Sequence, residues 1–81
     1  MKVTGAMYGS YVVAVIGEEI NSKKLCEGLE DLDFKVTRLS EDDSSLSIMV
    51  ETGPYRHDTF VQRVENIMSD QPDYESSITP V

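Results

Sequence analysis

The apolar positions of this chain change period several times, and each change marks an element. "YVVAVIG" (Tyr11 to Gly17) is a β-branched run closed by Gly. Tyr11, Val13 and Val15 alternate with Val12, Ala14 and Ile16, so both sides are apolar, as in a strand buried on two faces. In "INSKKLCEGLEDL" the period lengthens, and Leu25, Cys26, Leu29 and Leu32 fall on one helical stripe. Asn21 is a suitable N-cap, and Ile20 and Leu25 have the spacing of a hydrophobic staple. Gly28 weakens this helix by about 1 kcal/mol relative to Ala and leaves room for a neighbouring element to come close.

The period then shortens again. "FKVTRLS" (Phe34 to Ser40) alternates in part, as an edge strand does. "EDDSS" is turn-rich, and "LSIMVE" sets Leu46, Ile48 and Val50 against Ser47, Met49 and Glu51. Two strand-like runs around a short polar stretch predict a hairpin. "TGPYRHDTFVQRVENIMSDQ" predicts a second helix with Pro54 at its first position, where a missing N–H costs nothing. Its buried stripe is Phe60, Val61, Val64, Ile67 and Met68, and "QPD" stops it. "YESSITPV" is a weak last strand, placed at an edge by Pro80.

The order β-α-β-β-α-β is the split βαβ, or ferredoxin-like, pattern of an α+β domain. Right-handed crossovers put both helices on one face of a four-stranded antiparallel sheet of order 4-1-3-2. The more apolar strands 1 and 3 are then central, and the more polar strands 2 and 4 lie at the edges. The 81 residues suffice for one small domain. Residues 1–10 are expected to be a loose arm or a backward extension of strand 1.

Charge narrows the partners. Fifteen Asp and Glu against seven Lys and Arg leave a net charge of −8. Nucleic acids and anionic membranes are bound largely through Lys and Arg, which are few and scattered here, so neither is an expected partner. The single Cys26 excludes an internal disulfide and every paired-Cys metal site. The uncharged run Val3 to Gly17 is too short to span a bilayer, and no convincing secretory signal is present. The cytoplasm is the expected compartment, and no cofactor or metal is expected.

Three stretches invite chemistry. "GPYRHDTF" holds the only His beside Tyr55, Arg56 and Asp58. In a helix beginning near Pro54, His57 and Asp58 diverge, which disfavours a joint acid–base role. Tyr55, Arg56 and His57 would remain near a helix N-terminus able to meet an anion, and an enzyme centred on them is the third reading. "EDD" lacks the spacing of a calcium loop and reads as a solvated tip. In "VIGEEINS", Gly17 allows a tight turn, while Glu18 and Glu19 disfavour a phosphate and admit an amine. Cys26 lies on the apolar stripe and reads as a small buried hydrophobe.

One expectation goes beyond the fold. The sheet face without helices would carry one strand 1 set, such as Val12, Ala14 and Ile16, together with Met49. Apolar patches of this kind usually mark interaction surfaces. A homodimer, or another protein chain docked on this open face, is the expected partner.

With its element order in place, the chain resembles the small regulatory ferredoxin-like domains of the ACT and ACT-like group, over roughly residues 11–81. The resemblance rests on that order, on "VVAVIG" closing at Gly17 before the first helix, and on the helix–strand spacing. It implies a small-molecule effector near the strand 1–helix 1 turn and at dimer interfaces. "EEINS" stands where that group commonly has an acidic residue and then Pro-Gly, so only Gly17 carries over. The reading is a non-enzymatic regulatory or ligand-sensing domain that self-associates through its sheet. Its alternative is an acidic module that binds a larger protein partner.

Overall fold

The computed structural model describes residues 7–71 and 73–81. Its elements run β1 (Met7–Gly17), α1 (Ser22–Glu30), β2 (Lys35–Glu41), β3 (Ser45–Arg56), α2 (His57–Ile67), a 3₁₀ turn (Met68–Asp70) and β4 (Tyr74–Pro80). The sheet order is β2-β3-β1-β4 and all pairs are antiparallel, which is the expected 4-1-3-2 order. Both helices cover one face. Among the described residues no helix is long and apolar enough to cross a membrane.

The core lies between the helices and that sheet face. Tyr11, Val13 and Val15 of β1 stand opposite Val50, Ile48 and Leu46 of β3, and all six are buried. Leu25, Cys26 and Leu29 of α1 close over them, with Phe60, Val64 and Met68 from the second helical segment. Each fully buried large aliphatic contributes about 1.5–3 kcal/mol. Asn21 caps α1 as expected, its side-chain oxygen accepting from Lys24 N–H at 3.0 Å. Gly28 lets the two helices meet: a Cβ there would lie 2.9 Å from Ile67 Cγ2.

Residues 7–10 extend strand 1 backward, one of the two alternatives expected, while residues 1–6 lie outside the described residues. Three expectations need correction. Leu32 is not part of the buried stripe: α1 ends at Glu30, and Leu32 sits in the following turn, 37% exposed. Val61 and Ile67 are half-buried rather than core. The largest change concerns "GPYRHDTF". Pro54 does not start a helix, because β3 continues through it to Arg56 and pairs Tyr55 with Tyr8 and Arg56 with Met7. Between Ser10 and Tyr8 the register shifts: Thr52, Gly53 and Pro54 bulge opposite the single Gly9. Gly53 takes a φ of +68° there, a conformation that glycine adopts without strain. A bulge also tolerates Pro54, whose missing N–H would break a regular ladder.

Aromatic residues from the strands meet those of α2 near this bulge. Tyr11 stacks on Phe60 at 4.3 Å between ring centroids and on His57 at 5.7 Å. Tyr55 packs edge-on against Phe34 at 5.0 Å. The buried Tyr11 hydroxyl donates to the Tyr55 carbonyl at 2.7 Å, tying β1 to the last turn of β3. Burial pushes the Tyr11 phenol above its ordinary pKa.

Two substitutions test this packing. Tyr11→Phe removes one buried hydrogen bond and should lower stability by about 1 kcal/mol, a fall of about 4–8 °C in Tm for a domain of this size. Gly28→Leu must push Ile67 and α2 away and should cost about 1–3 kcal/mol. Urea unfolding of each variant beside the parent chain measures both.

Candidate functional site

The residues proposed from sequence separate into three places. Gly17, Glu18 and Glu19 stand at the end of β1 and in the turn to α1. Tyr55, Arg56 and His57 stand at the opposite end, beside Met7 and Tyr8. Ten residues of β1 separate Tyr55's partner Tyr8 region from Gly17, about 30 Å at strand rise, so these two groups cannot form one site.

The three residues of the Tyr55–His57 group turn to different partners. Tyr55 turns its ring onto Phe34 and Phe60, and its hydroxyl accepts from Arg63 Nε at 3.4 Å. Arg56 turns to Asp58 at 3.1 Å. His57 opens α2 and lays its ring on Tyr11, with the edge of Tyr8 at 6.3 Å. Its Nε2 is enclosed and has no hydrogen-bond partner among the described residues. The ring thus serves as a packing piece. The α2 N-terminus is occupied by its own acid: Asp58 accepts from Thr59 N–H at 2.8 Å. Tyr55 and Arg56 therefore lie in a strand rather than in the first helical turn expected of them.

The β1–α1 turn is better defined. Glu19 has a φ of 53°, in the left-handed region. Gln71, at the far end of the chain's second helical segment, holds this turn. Its Nε2 donates to the Glu18 and Glu19 carbonyls at 3.3 Å each, and its Oε1 accepts from Asn21 N–H at 3.1 Å. Lys24 Nζ reaches Asp70 at 2.6 Å across the same gap. Together these residues line a shallow cavity of about 250 Å³ floored by Ile67 and Met68. Gly17 has a structural reason to lack a side chain, since a Cβ would stand 3.1 Å from the Asp73 carbonyl oxygen. Gln71 was not legible in the sequence: a lone glutamine beside a proline carries no signal, and its role exists only because α2 ends next to the turn.

The helix-free face of the sheet is the third place. Val12 stands opposite Met49 and Thr79, Ala14 opposite Ser47 and Ser77, and Ile16 opposite Ser45 and Glu75. Thr37 extends the row from β2, opposite Met49. Val12, Ala14 and Met49 are half-buried by these neighbours and Ile16 is 58% exposed. The patch is thus small, flat and rich in Ser and Thr. Its charges stay at the margins: Glu75 at one end, and Lys35 with Glu51, 3.8 Å apart, at the other. The neutral middle is the feature that sets it apart on a chain of net charge −8.

Among the described residues no three His, Cys, Asp or Glu side chains group as metal ligands. No protein-family profile and no curated protein matches the sequence. Solved structures do share its fold. A functionally unknown protein from Pediococcus pentosaceus superposes with a TM-score of 0.54 at 16% identity, over 94% of each chain. A proposed PII-like signaling protein from Thermus thermophilus does so with a TM-score of 0.50 at 10% identity, over 94% of this chain and 89% of that one. At such identities the likeness is one of fold. It agrees with the ferredoxin-like architecture and the fold-level resemblance to small regulatory proteins.

Asp70 supplies a pH test of the cavity wall. Its hydrogen bond from Lys24, with the charge of that ammonium, holds the carboxyl below the usual carboxylate range. A group with a depressed folded pKa contributes stability above its unfolded value, about 3.9 for Asp, and loses it as pH falls through the folded value. Asp70→Asn should therefore be less stable than the parent at pH 7, with the difference shrinking as pH falls below about 3.9. Thermal melts across that range read the difference.

Proposed function

We propose that this protein is a small non-enzymatic regulatory domain that self-associates through the helix-free face of its sheet. The observation that carries this reading is the neutral row of Val12, Ala14 and Met49 with its Ser and Thr neighbours, on a chain that is acidic elsewhere. A face that only met water would have no reason to exclude charge. The inward packing of Tyr55 and His57, and the Arg56–Asp58 pair, weigh against an enzyme built on that cluster. The Thermus protein of like fold, described as PII-like and signaling, supports a regulatory role by analogy of fold. A small-molecule effector fits best beside Glu18, Glu19 and Gln71, where a shallow cavity meets the β1–α1 turn. The cytoplasm is the compartment that suits this role.

The acidic end of the sheet favours a second reading, an interaction module for a larger, basic protein partner. It is separable from the first, because it needs no contact between like chains.

Strands about 4.8 Å apart and seven residues long give a face of about 20 by 20 Å, roughly 800 Å² over two copies, in the class of weak and transient interfaces. Association should therefore be reversible and concentration-dependent. Met49→Glu places a charge in the middle of the face and should weaken self-association at least tenfold, about 1.4 kcal/mol, with little change in the Tm of the dilute chain. Sedimentation equilibrium of parent and variant measures this; a parent chain that stays monomeric up to about millimolar concentration rejects the proposal.

A further inference from the structure

The two ends of the open face differ in charge, and this difference selects one way for two copies to meet. The inference rests on the self-association proposed above. At the end where β1 finishes, Ile16 pairs with Ser45 and Glu75, and Gly17 N–H donates to the Ser44 carbonyl at 2.9 Å. This end gathers Glu18, Glu19, Asp73 and Glu75 around Ile16 and Ser44, four of the chain's 15 carboxylates, while Glu41 turns to the helix side and accepts from Ser22 Oγ at 2.6 Å. Of the nearby cations, Arg38 is paired with Glu41 and Lys24 with Asp70. Among the described residues the other end of the face carries Ser10, Glu51 and Lys35, with the last two paired.

Two identical sheets stacked by a two-fold axis have two limiting alignments. An axis along the strands lays β1 of one copy over β3 of the other, with like ends together. An axis across the strands lays β1 over β1 and β3 over β3, with ends reversed. Like ends together would set these four carboxylates against four. Stacked sheets lie about 10 Å apart with side chains filling the gap, so these groups would meet within the Debye length of roughly 8 Å at physiological salt. Reversed ends set each acidic rim over the second copy's Lys35–Glu51 end.

Side-chain size selects the same alignment independently. With like ends together, Val12 of one copy falls on Met49 of the other, large upon large, and Ala14 on Ser47, small upon small; only Ile16, on Ser45, meets a smaller side chain. With ends reversed, Val12 falls on the second copy's Ala14, Ile16 on its Ser10, and Met49 on its Ser47. Each large side chain then meets a small one, as interdigitating sheets require. We infer that the partner this face fits is a second copy of the same chain, packed face to face with its strands antiparallel to the first.

Spin labels on Ser10→Cys and Ser45→Cys, each in the full chain, test the alignment; the buried Cys26 stays unlabelled. From strand rise and sheet spacing, the antiparallel dimer puts two Ser45 positions roughly 22 Å apart, and likewise two Ser10 positions. Mixing the two labelled chains should give a short distance, about 11 Å, between Ser10 of one copy and Ser45 of the other. Sedimentation of the same samples gives their mass. The inference expects a dimer with long like-pair and short mixed-pair distances. A dimer with the distances interchanged overturns the alignment and leaves self-association standing, and a trimer overturns the two-fold packing alone. A strict monomer overturns the self-association itself and this inference with it.

Discussion

The register between β1 and β3 is the constraint on which the rest of the structure depends. It sets Tyr11 against Val50, Val13 against Ile48 and Val15 against Leu46, and buries all six under the helices. Side chains alternate with period two, so a slip of one residue would exchange this set for Val12, Ala14, Ser47 and Met49. The alternative set is smaller and contains a hydroxyl, so it could not fill the space under Leu25, Leu29 and Phe60. The same pairing that builds the core thus sends the small neutral set to the open face. Core and candidate interaction surface are two sides of one register.

The central strands are longer than their neighbours, and this shapes one end of the molecule. β1 and β3 continue past the edge strands as a two-stranded ribbon. Near the Thr52–Pro54 bulge, Tyr8, Tyr11, Phe34, Tyr55 and Phe60 gather with His57 into one stack. Five of the chain's six aromatic residues sit at this end. The opposite end is built from short turns and carries acid instead. The polarity along the strands therefore comes from two different devices, aromatic closure at one end and solvated carboxylates at the other.

Charge distribution connects the fold to the proposed role. A net charge of −8 keeps a small chain soluble but repels copies of itself. Placing most carboxylates in turns and at helix surfaces confines that repulsion to the rims. It leaves the middle of the sheet able to meet another surface at little electrostatic cost. Where the surface charge lies therefore matters more than how much of it there is.

Element order, strand order, the two helical stripes and the Asn21 cap were legible in the sequence, because each rests on local period or on a single capping group. Alternation also grouped Val12, Ala14 and Ile16 on one side of strand 1, but both sides of that strand are apolar, so which side faces away from the helices was decided by packing. The polar candidates were not legible. Pro54 read locally as a helix start, yet long-range pairing with Tyr8 and Met7 kept Tyr55 and Arg56 in β3. That pairing joins residues 47 and 49 positions apart along the chain, beyond any local period. The same holds for Gln71, whose clamp on the Glu18–Glu19 turn joins elements 50 residues apart. Sequence by itself determined which residues face the core, because burial follows a period of two or 3.6. Only the tertiary structure decided which polar groups meet, because hydrogen bonds between distant segments depend on how the ends of the elements are brought together.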